Sequence, residues 1–405
     1  MFHRLTIACA CAAVICLALA VVVRAQAVKS DKNLTDKEKA AIAQQVRVLL
    51  KQSCYRCHGD PKFKASGKIN YILDHKRVVS KLVDLKKPEE SDLYTIIEDG
   101  EMPRVKSETT GRYVGTKLPQ ADIDLVLDWI KAGAPAWTEP MKWEKVADVD
   151  VPYTNLCEGP NGTIICVALR ADGDKTSVYD FKQWKLLDTQ GPSSQAQMAY
   201  DSKRRVTVAF DLETRETWEF SSKWTKVATK DSPEKREHTQ IAFDSGRGVV
   251  VLYGGIAKGG GTLADTWEFN GKAWASVQTV GRPAAGAGCM AYDVKNKVCV
   301  LHGGALNETW LYEGKDWTKK ATATTPGARN YAGSCWDPVG QRVLLYGGSK
   351  DNALSHELWA FDGDDWTLLD AEGELPKMNG AFIYYNSARK KLYHLAGTMH
   401  TLDLK

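Results

Sequence analysis

Residues 249–255 read VVVLYGG, a run of β-branched and aromatic residues that ends in a pair of glycines. Such a run predicts a buried strand, and the glycines predict a turn directly after it. A short alternating segment ending at Asp244 precedes this strand, residues 266–269 with the sequence TWEF follow it, and Trp274 begins a further segment. The four segments and the turns between them predict one antiparallel sheet of four strands.

The same series of signals recurs along the second half of the chain. The tryptophans that begin the fourth segment stand 40 to 50 residues apart, the spacing of propeller blades, and are Trp143, Trp184, Trp224, Trp274, Trp317 and Trp366. The first segment ends in a polar residue suited to a tight turn, at Asp201, Asp244, Asp293, Asp337 and Asn386. The second ends in glycine pairs at 254–255, 303–304 and 347–348, or in Ala396 and Gly397. Because glycine lets backbones approach closely, we expect these pairs near a central channel.

The two ends of the repeat array complement each other. The last repeat ends at residues 401–404 without a tryptophan strand, whereas residues 142–146 form a tryptophan strand with no blade before it. We therefore expect residues 141–405 to form an all-β, six-bladed propeller in which the strand at 142–146 completes the last sheet and leaves no open edge.

The double glycines and the later tryptophans of residues 236–369 resemble those of the kelch family. Two blades, near residues 164–169 and 206–210, lack the glycine pair. Kelch propellers include copper oxidases, but no set of His, Tyr and Cys here can be assigned as a copper site. The five propeller histidines are at scattered blade positions, and the resemblance implies a structural role for the first of them: His238, His302, His356, His394 and His400.

A different chemistry is indicated in the first third of the chain, where residues 54–58 read CYRCH. Cys54 and Cys57 have the spacing for thioether bonds to the two vinyl groups of a c-type haem, and His58 then provides one axial ligand to its iron. A thioredoxin-like thiol pair would need a βαβ context, and a zinc site would need a second pair of ligands nearby. The sequence shows neither, so we expect one covalently bound haem c.

The second axial ligand is expected in residues 98–104, which read EDGEMPR. The thioether of Met102 would raise the reduction potential of the haem, and Pro103 fixes the backbone just after it. His75 is the rival ligand, because it lies closer to His58 in the sequence. A haem with two histidine ligands would have a lower potential.

Two helices are predicted around this motif. Thr35 and Glu38 form a capping box that begins a helix through about residue 52, and a second helix runs from about Pro119 to Gly133. Their narrow apolar faces predict that they pack on each other and on the haem. We therefore expect residues 28–140 to form an all-α, cytochrome c-like domain.

Residues 54–59, 91–94, 100–103 and 129–134 resemble, in order and spacing, the cytochrome c domains common in planctomycete exported proteins. The resemblance covers about a quarter of the chain and implies His58 and Met102 as the axial ligands. The polar segment 106–117 departs from the family pattern and would shift the methionine loop.

The start of the chain predicts export. Residues 1–27 combine His3 and Arg4 with an apolar run over 5–23 and a small-residue cleavage site at 25–27. We expect a signal peptide and a periplasmic protein, although the run is also long enough to serve as an uncleaved membrane anchor. Of the ten cysteines, three lie in this run and five remain besides the haem pair: Cys157, Cys166, Cys289, Cys299 and Cys335. Disulfides are open to these five, but buried thiols are the favoured interpretation.

These features predict an exported electron carrier, in which one haem c transfers electrons and the propeller docks a protein or polysaccharide. Two alternatives stay open: a propeller that oxidises a substrate and passes electrons to the haem, and a haem-based sensor. The redox partner is not identified by the sequence. Basic residues near the haem motif could steer an acidic partner or offset the haem propionates, and they are Arg56, Lys62, Lys64 and Lys68. The net charge of +4 on 405 residues does not indicate a basic surface for binding nucleic acid.

Overall fold

The structure, a computed structural model, describes residues 34–59, 69–106, 113–149, 155–284, 286, 288–304, 307–350, 353–373, 375 and 382–405. The predicted signal peptide at residues 1–27 lies outside this part of the chain. Most of the described residues in regular structure belong to β-strands.

The helices lie in the N-terminal region, by which we mean the described residues between 34 and 140. They are α1 (Asp36–Ser53), α2 (Tyr55–His58), α3 (His75–Leu82), α4 (Asp92–Glu98) and α5 (Gln120–Lys131), with a 3₁₀ turn at Pro88–Glu90. The capping box at the start of α1 is confirmed, since Thr35 Oγ1 accepts from the Glu38 backbone and Glu38 Oε2 accepts from the Thr35 backbone. Helices α1 and α5 share one core, in which Val46 and Leu50 are buried with Ile123, Val126 and Trp129.

The expectation of an all-α cytochrome c-like domain over residues 28–140 is wrong. Strand Arg104–Lys106 pairs antiparallel with strand Tyr113–Gly115, with Val105 opposite Val114. The physical reason is local: each segment is centred on a β-branched valine, and Tyr113 adds an aromatic residue, both of which favour an extended backbone over a helix. The polar stretch that departs from the family pattern therefore contributes a strand, and the chain as a whole is mostly β.

The predicted six-bladed β-propeller is confirmed. Blade 1 contains Asn155–Glu158, Ile164–Arg170, Gly173–Tyr179 and Trp184–Leu187, and blade 2 contains Gln197–Asp201, Val206–Phe210, Thr217–Phe220 and Trp224–Val227. Blade 3 contains Gln240–Asp244, Val249–Ala257, Thr262–Phe269 and Trp274–Val277, and blade 4 contains Cys289–Asp293, Val298–His302, Thr309–Tyr312 and Trp317–Lys320. Blade 5 contains Gly333–Asp337, Arg342–Tyr346, Leu358–Phe361 and Trp366–Leu369, and blade 6 contains Phe382–Asn386, Lys391–Leu395, Thr398–Leu402 and Glu144–Asp148.

Short additional elements accompany the blades. Strand Arg236–Glu237 pairs with the second strand of blade 3, and Ser349–Lys350 forms a small ladder with Ala353–Leu354. A 3₁₀ turn covers Pro160–Gly162 in blade 1.

Blade 6 combines the two ends of the repeat array. Glu144–Asp148 runs antiparallel to Thr398–Leu402, with Lys145 opposite His400. The strand starts later than residue 142 because Met141–Lys142 pairs instead, in parallel, with Ala371–Glu372 at the end of blade 5.

A repeated hydrogen bond links neighbouring blades. The indole Nε1 of Trp224 donates to Thr176 Oγ1 of the preceding blade at 2.8 Å. The same bond recurs from Trp274 to Thr217, from Trp317 to Thr266 and from Trp366 to Thr309. In blade 6 the threonine position is occupied by Met399, and Trp184 Nε1 has no partner among the described residues. The seam between blades 6 and 1 therefore depends on apolar packing at this position.

The turn residues predicted from the sequence act as expected. Asp201 is buried, and its Oδ1 accepts from the backbone N–H groups of Lys203 and Arg204. Gly255 has a φ of +116°, and a Cβ there would lie 2.7 Å from the carbonyl oxygen of Glu237. Both the conformation and this close approach require glycine at that position.

Candidate functional site

The CYRCH segment folds as one compact turn at the end of α1. Cys54 caps α1, and its carbonyl oxygen accepts from the N–H groups of Cys57 and His58 at 3.1 and 3.0 Å. Residues four apart on a helical turn share a face, so Cys54 and His58 are presented to the same side. Cys54 is buried and Cys57 is half-buried.

Both residues of that face line a cavity of about 360 Å³. This volume lies within the usual range for sites that hold a small molecule or cofactor. Helix α4 and the loop after it, which carries Met102, also line the cavity. The described lining residues are Cys54, His58, Ile69, Ile72, Leu82, Asp92, Leu93, Thr95, Ile96, Ile97, Asp99, Glu101 and Met102. The structure thus brings His58 and Met102 to one cavity, although they are far apart in the sequence.

The imidazole of His58 is oriented by the backbone. Its Nδ1 lies 3.1 Å from the carbonyl oxygen of Ile69, which can only accept. The bond therefore places the proton on Nδ1, and Nε2 carries the lone pair that a metal would take. Histidines that bind metals commonly make this kind of bond through the other ring nitrogen.

The loop that carries Met102 is held by backbone contacts on both sides. The Met102 N–H donates to the carbonyl oxygen of Ile96 at 3.2 Å, and the Thr116 N–H donates to that of Pro103 at 2.8 Å. Gly115 lies so close to this loop that a Cβ there would be 2.2 Å from the carbonyl oxygen of Gly100. The strand missed by the sequence prediction therefore supports the methionine loop.

His75, the rival ligand, lies elsewhere. Its Nε2 is 2.9 Å from the carbonyl oxygen of Ala134, and its ring contacts the rings of Trp129 and Trp137 at centroid distances of 6.1 and 4.9 Å. It is not among the described residues that line the cavity. His75 therefore packs the start of α3 against the end of α5.

The surroundings of Cys54 do not resemble those of a reactive thiol pair. Burial, followed by the neighbouring Cys57, raises the pKa of the Cys54 thiol to about 12. Thiol–disulfide enzymes instead lower the pKa of the attacking cysteine, because the thiolate is the nucleophile. The Cys54 thiol therefore does not suit thiol–disulfide exchange, whereas its position at the cavity is compatible with a thioether bond.

The donors present fit a haem better than a bare metal ion. Within the described ranges, no three His, Cys, Asp or Glu side chains are grouped closely enough to hold an ion. A haem brings four nitrogen ligands of its own and needs only axial donors from the protein. His58 and Met102 would supply those two donors, and Cys54 with Cys57 would supply the attachment.

The described rim of the cavity is acidic, which the sequence reasoning missed. Asp92, Asp99 and Glu101 are exposed and line the cavity. The basic residues expected near the haem motif lie outside the described part: Lys62, Lys64, Lys68 and the side chain of Arg56.

Some propeller histidines that are scattered in the sequence come together in the fold. His394 and His400 face each other on adjacent strands of blade 6, with ring centroids 6.1 Å apart. His394 also contacts Trp143 and Tyr346, so it lies between blades 5 and 6. In a strand, such pairing follows from the register of the ladder, which the sequence alone did not define.

The propeller cysteines described here are mainly core residues. Cys157, Cys289 and Cys299 are buried free thiols, Cys335 is a half-buried one, and Cys166 is buried. Burial raises the pKa of the Cys289 thiol to about 12. This supports the interpretation of these thiols as small apolar side chains.

None of the helices in the described part of the chain combines the length and apolar character needed to cross a membrane.

No family model matches the chain, and no curated protein sequence matches it significantly. A solved structure described as "Structure of YjhT" is similar to 63% of this chain over 95% of its own length, with 13% sequence identity and a TM-score of 0.44. The propeller assignment rests on the sheet topology described above.

Proposed function

We propose that this protein is an exported electron carrier that holds one haem c in the cavity between α2 and the Met102 loop. The observation that carries the proposal is the shared cavity: His58 and Met102 both line it, together with Cys54 of the attachment sequence. Cys54 and Cys57 would form the two thioether bonds, and His58 and Met102 would be the axial ligands.

The chain's own residues suit electron transfer. When bound, haem supplies an iron that gains and loses one electron. The bond from His58 Nδ1 to the Ile69 carbonyl holds the imidazole in one tautomer and one orientation. As a ligand, the neutral sulfur of Met102 would favour the reduced state of the iron relative to a second imidazole and so would raise the reduction potential. Buried Leu93 and Ile97 in the wall limit the access of water.

The resemblances seen in the sequence support this assignment. Residues 28–140 carry the cytochrome c motifs in order, and residues 236–369 carry the kelch glycines and tryptophans. We propose that the propeller at 141–405 docks a redox partner or a polymer, and that residues 1–27 direct the protein to the periplasm.

Optical spectra of the purified protein test the proposal. The reduced form should show the sharp bands of a low-spin haem, and the oxidised form should show the weak red band of a sulfur–iron bond. Rapid binding of carbon monoxide by the reduced protein would point to an open iron and favour a sensor or a haem enzyme. A preparation without haem bands from a host that attaches haem c would contradict the proposal.

A further inference from the structure

The N-terminal region and the propeller meet at a short segment, residues 370–372, that follows the last strand of blade 5. Its backbone pairs with the chain arriving from the N-terminal region. The Met141 N–H donates to the carbonyl oxygen of Asp370 at 2.9 Å, and the Trp143 N–H donates to that of Glu372 at 2.8 Å. Residues 141–143, which join the N-terminal region to the propeller, are therefore held against blade 5 before the chain enters blade 6.

The side chains of the same segment bind helix α1. Arg47 forms an ion pair with Asp370, and Lys51 Nζ lies 2.9 Å from Asp370 Oδ1 and 2.8 Å from Glu372 Oε1. Gln44 Nε2 adds a hydrogen bond to Asp370 Oδ2 at 3.2 Å. Because Gln44, Arg47 and Lys51 are spaced by three and four residues, they share one face of the helix.

The centre of this contact is removed from water. The Arg47 and Asp370 side chains are 7% and 1% exposed. Partial burial alone would raise the pKa of Glu372, but Lys51 and Arg47 hold it below its usual value. Removing one partner of a buried ion pair leaves the other charge buried without compensation, which is strongly destabilising. The contact therefore differs from surface ion pairs, most of which contribute little.

The contact lies next to the predicted haem-attachment sequence, residues 54–58. Lys51 lies in the last turn of α1, directly before the segment that begins at Cys54. We infer that Asp370 is a positioning residue: it anchors the end of α1 to blade 5 and so fixes the orientation of the cavity relative to the propeller. The N-terminal region and the propeller then unfold as one cooperative unit. The link to haem rests on the function proposed above, whereas the link between the two regions does not.

Calorimetry of the full-length protein as purified tests this inference. The wild type should unfold in a single transition. Asp370→Ala should split it, with the N-terminal region melting roughly 10 °C or more below the propeller. The matched control is Asp364→Asn on the same blade, because Asp364 pairs with Lys320 at 2.8 Å but is 91% exposed. The control should melt as the wild type does.

Further variants keep the test decisive if Asp370→Ala folds poorly. Asp370→Asn retains the shape and should give a smaller split, and Asp370→Glu retains the negative charge that Arg47 and Lys51 contact and should keep most of the single transition. Small-angle scattering should show a wider range of dimensions for Asp370→Ala than for Asp364→Asn. A single wild-type-like transition and unchanged scattering for Asp370→Ala would overturn the inference. Haem content measured on the same samples tests the proposed function separately.

Discussion

The Nδ1 atom of His58 lies 3.1 Å from the carbonyl oxygen of Ile69, and the carbonyl oxygen of His58 in turn accepts from the Ile72 N–H at 3.2 Å. Ile69 and Ile72, which follow residues 54–58 in the chain, thus hold both the ring and the backbone of His58 in place. These contacts fix the position of the free ring nitrogen, Nε2, without any cofactor. This arrangement, with Met102 lining the same cavity, supports the proposal that His58 is an axial ligand of a haem.

Met102 is expected to determine the second axial position. Met102→Ala should abolish the red absorption band of the oxidised protein, lower the reduction potential and allow rapid carbon monoxide binding, because the iron loses its sulfur ligand. His75→Ala is the matched control and should leave all three unchanged, since His75 bonds to Ala134 and packs on two tryptophans. The reverse pattern would establish a haem with two histidine ligands.

Gly115 is expected to control the methionine loop without touching the cofactor. Gly115→Ala introduces a Cβ about where the carbonyl oxygen of Gly100 lies, at 2.2 Å, so the loop must move. The expected result is a weakened sulfur–iron band with haem still attached, measured by optical spectroscopy. Gly259→Ala is the control, because a Cβ there meets nothing within 4 Å. An unchanged band in Gly115→Ala would show that the loop position does not depend on this contact.

The folded state should lose stability in mild acid. Burial lowers the pKa of His302 to about 4, and burial followed by His400 and His356 lowers that of His394 to about 3. The unfolded chain then binds these protons more tightly, so the stabilisation is complete above pH 6.5 and is lost as the pH falls towards 4. For His302 the loss at pH 5 relative to pH 8 is about 2 kcal/mol. Urea titrations should show a shallower pH dependence over this range in His302→Gln; an identical dependence would contradict the account.

The hydrogen bond from Trp366 of blade 5 to Thr309 of blade 4 is expected to stabilise the propeller. Thr309 Oγ1 accepts from Trp366 Nε1 at 2.8 Å and also lies 2.9 Å from His302 Nδ1. Thr309→Val keeps the shape but leaves both groups buried without a partner, so the free energy of unfolding should fall by roughly 1–3 kcal/mol. Thr318→Val on the exposed neighbouring strand should change it by less than about 0.5 kcal/mol. Equal losses in the two variants would show that the bond contributes nothing.

The propeller was predictable because its signals are local and repeated. Each Asp at the end of a first strand and each Trp at the start of a fourth strand marks a position within its own blade, and the spacing then sets the number of blades. The strand pair around Val105 and Val114 was missed because its segments are three residues long and separated by a polar stretch. Such short strands carry too little periodicity to be distinguished from loops.

The residues of the candidate site were predictable from the sequence, but the contacts that hold them were not. The spacing of Cys54, Cys57 and His58 follows from the chemistry of haem attachment. The bond from His58 to Ile69 and the contact of Arg47 with Asp370 join residues through the tertiary fold. One sequence contains many equivalent carbonyls and charges, so nothing in it selects these particular partners.

The most direct test of the central claim is the intact mass of the purified full-length protein under denaturing conditions, after expression in a host that attaches haem c. Covalent attachment at Cys54 and Cys57 predicts a polypeptide heavier by one haem, and the loss of that mass in the variant combining Cys54→Ser with Cys57→Ser but not in Cys335→Ala. A wild-type polypeptide with no added mass, whose haem is absent or extracts into acidified organic solvent, would contradict it.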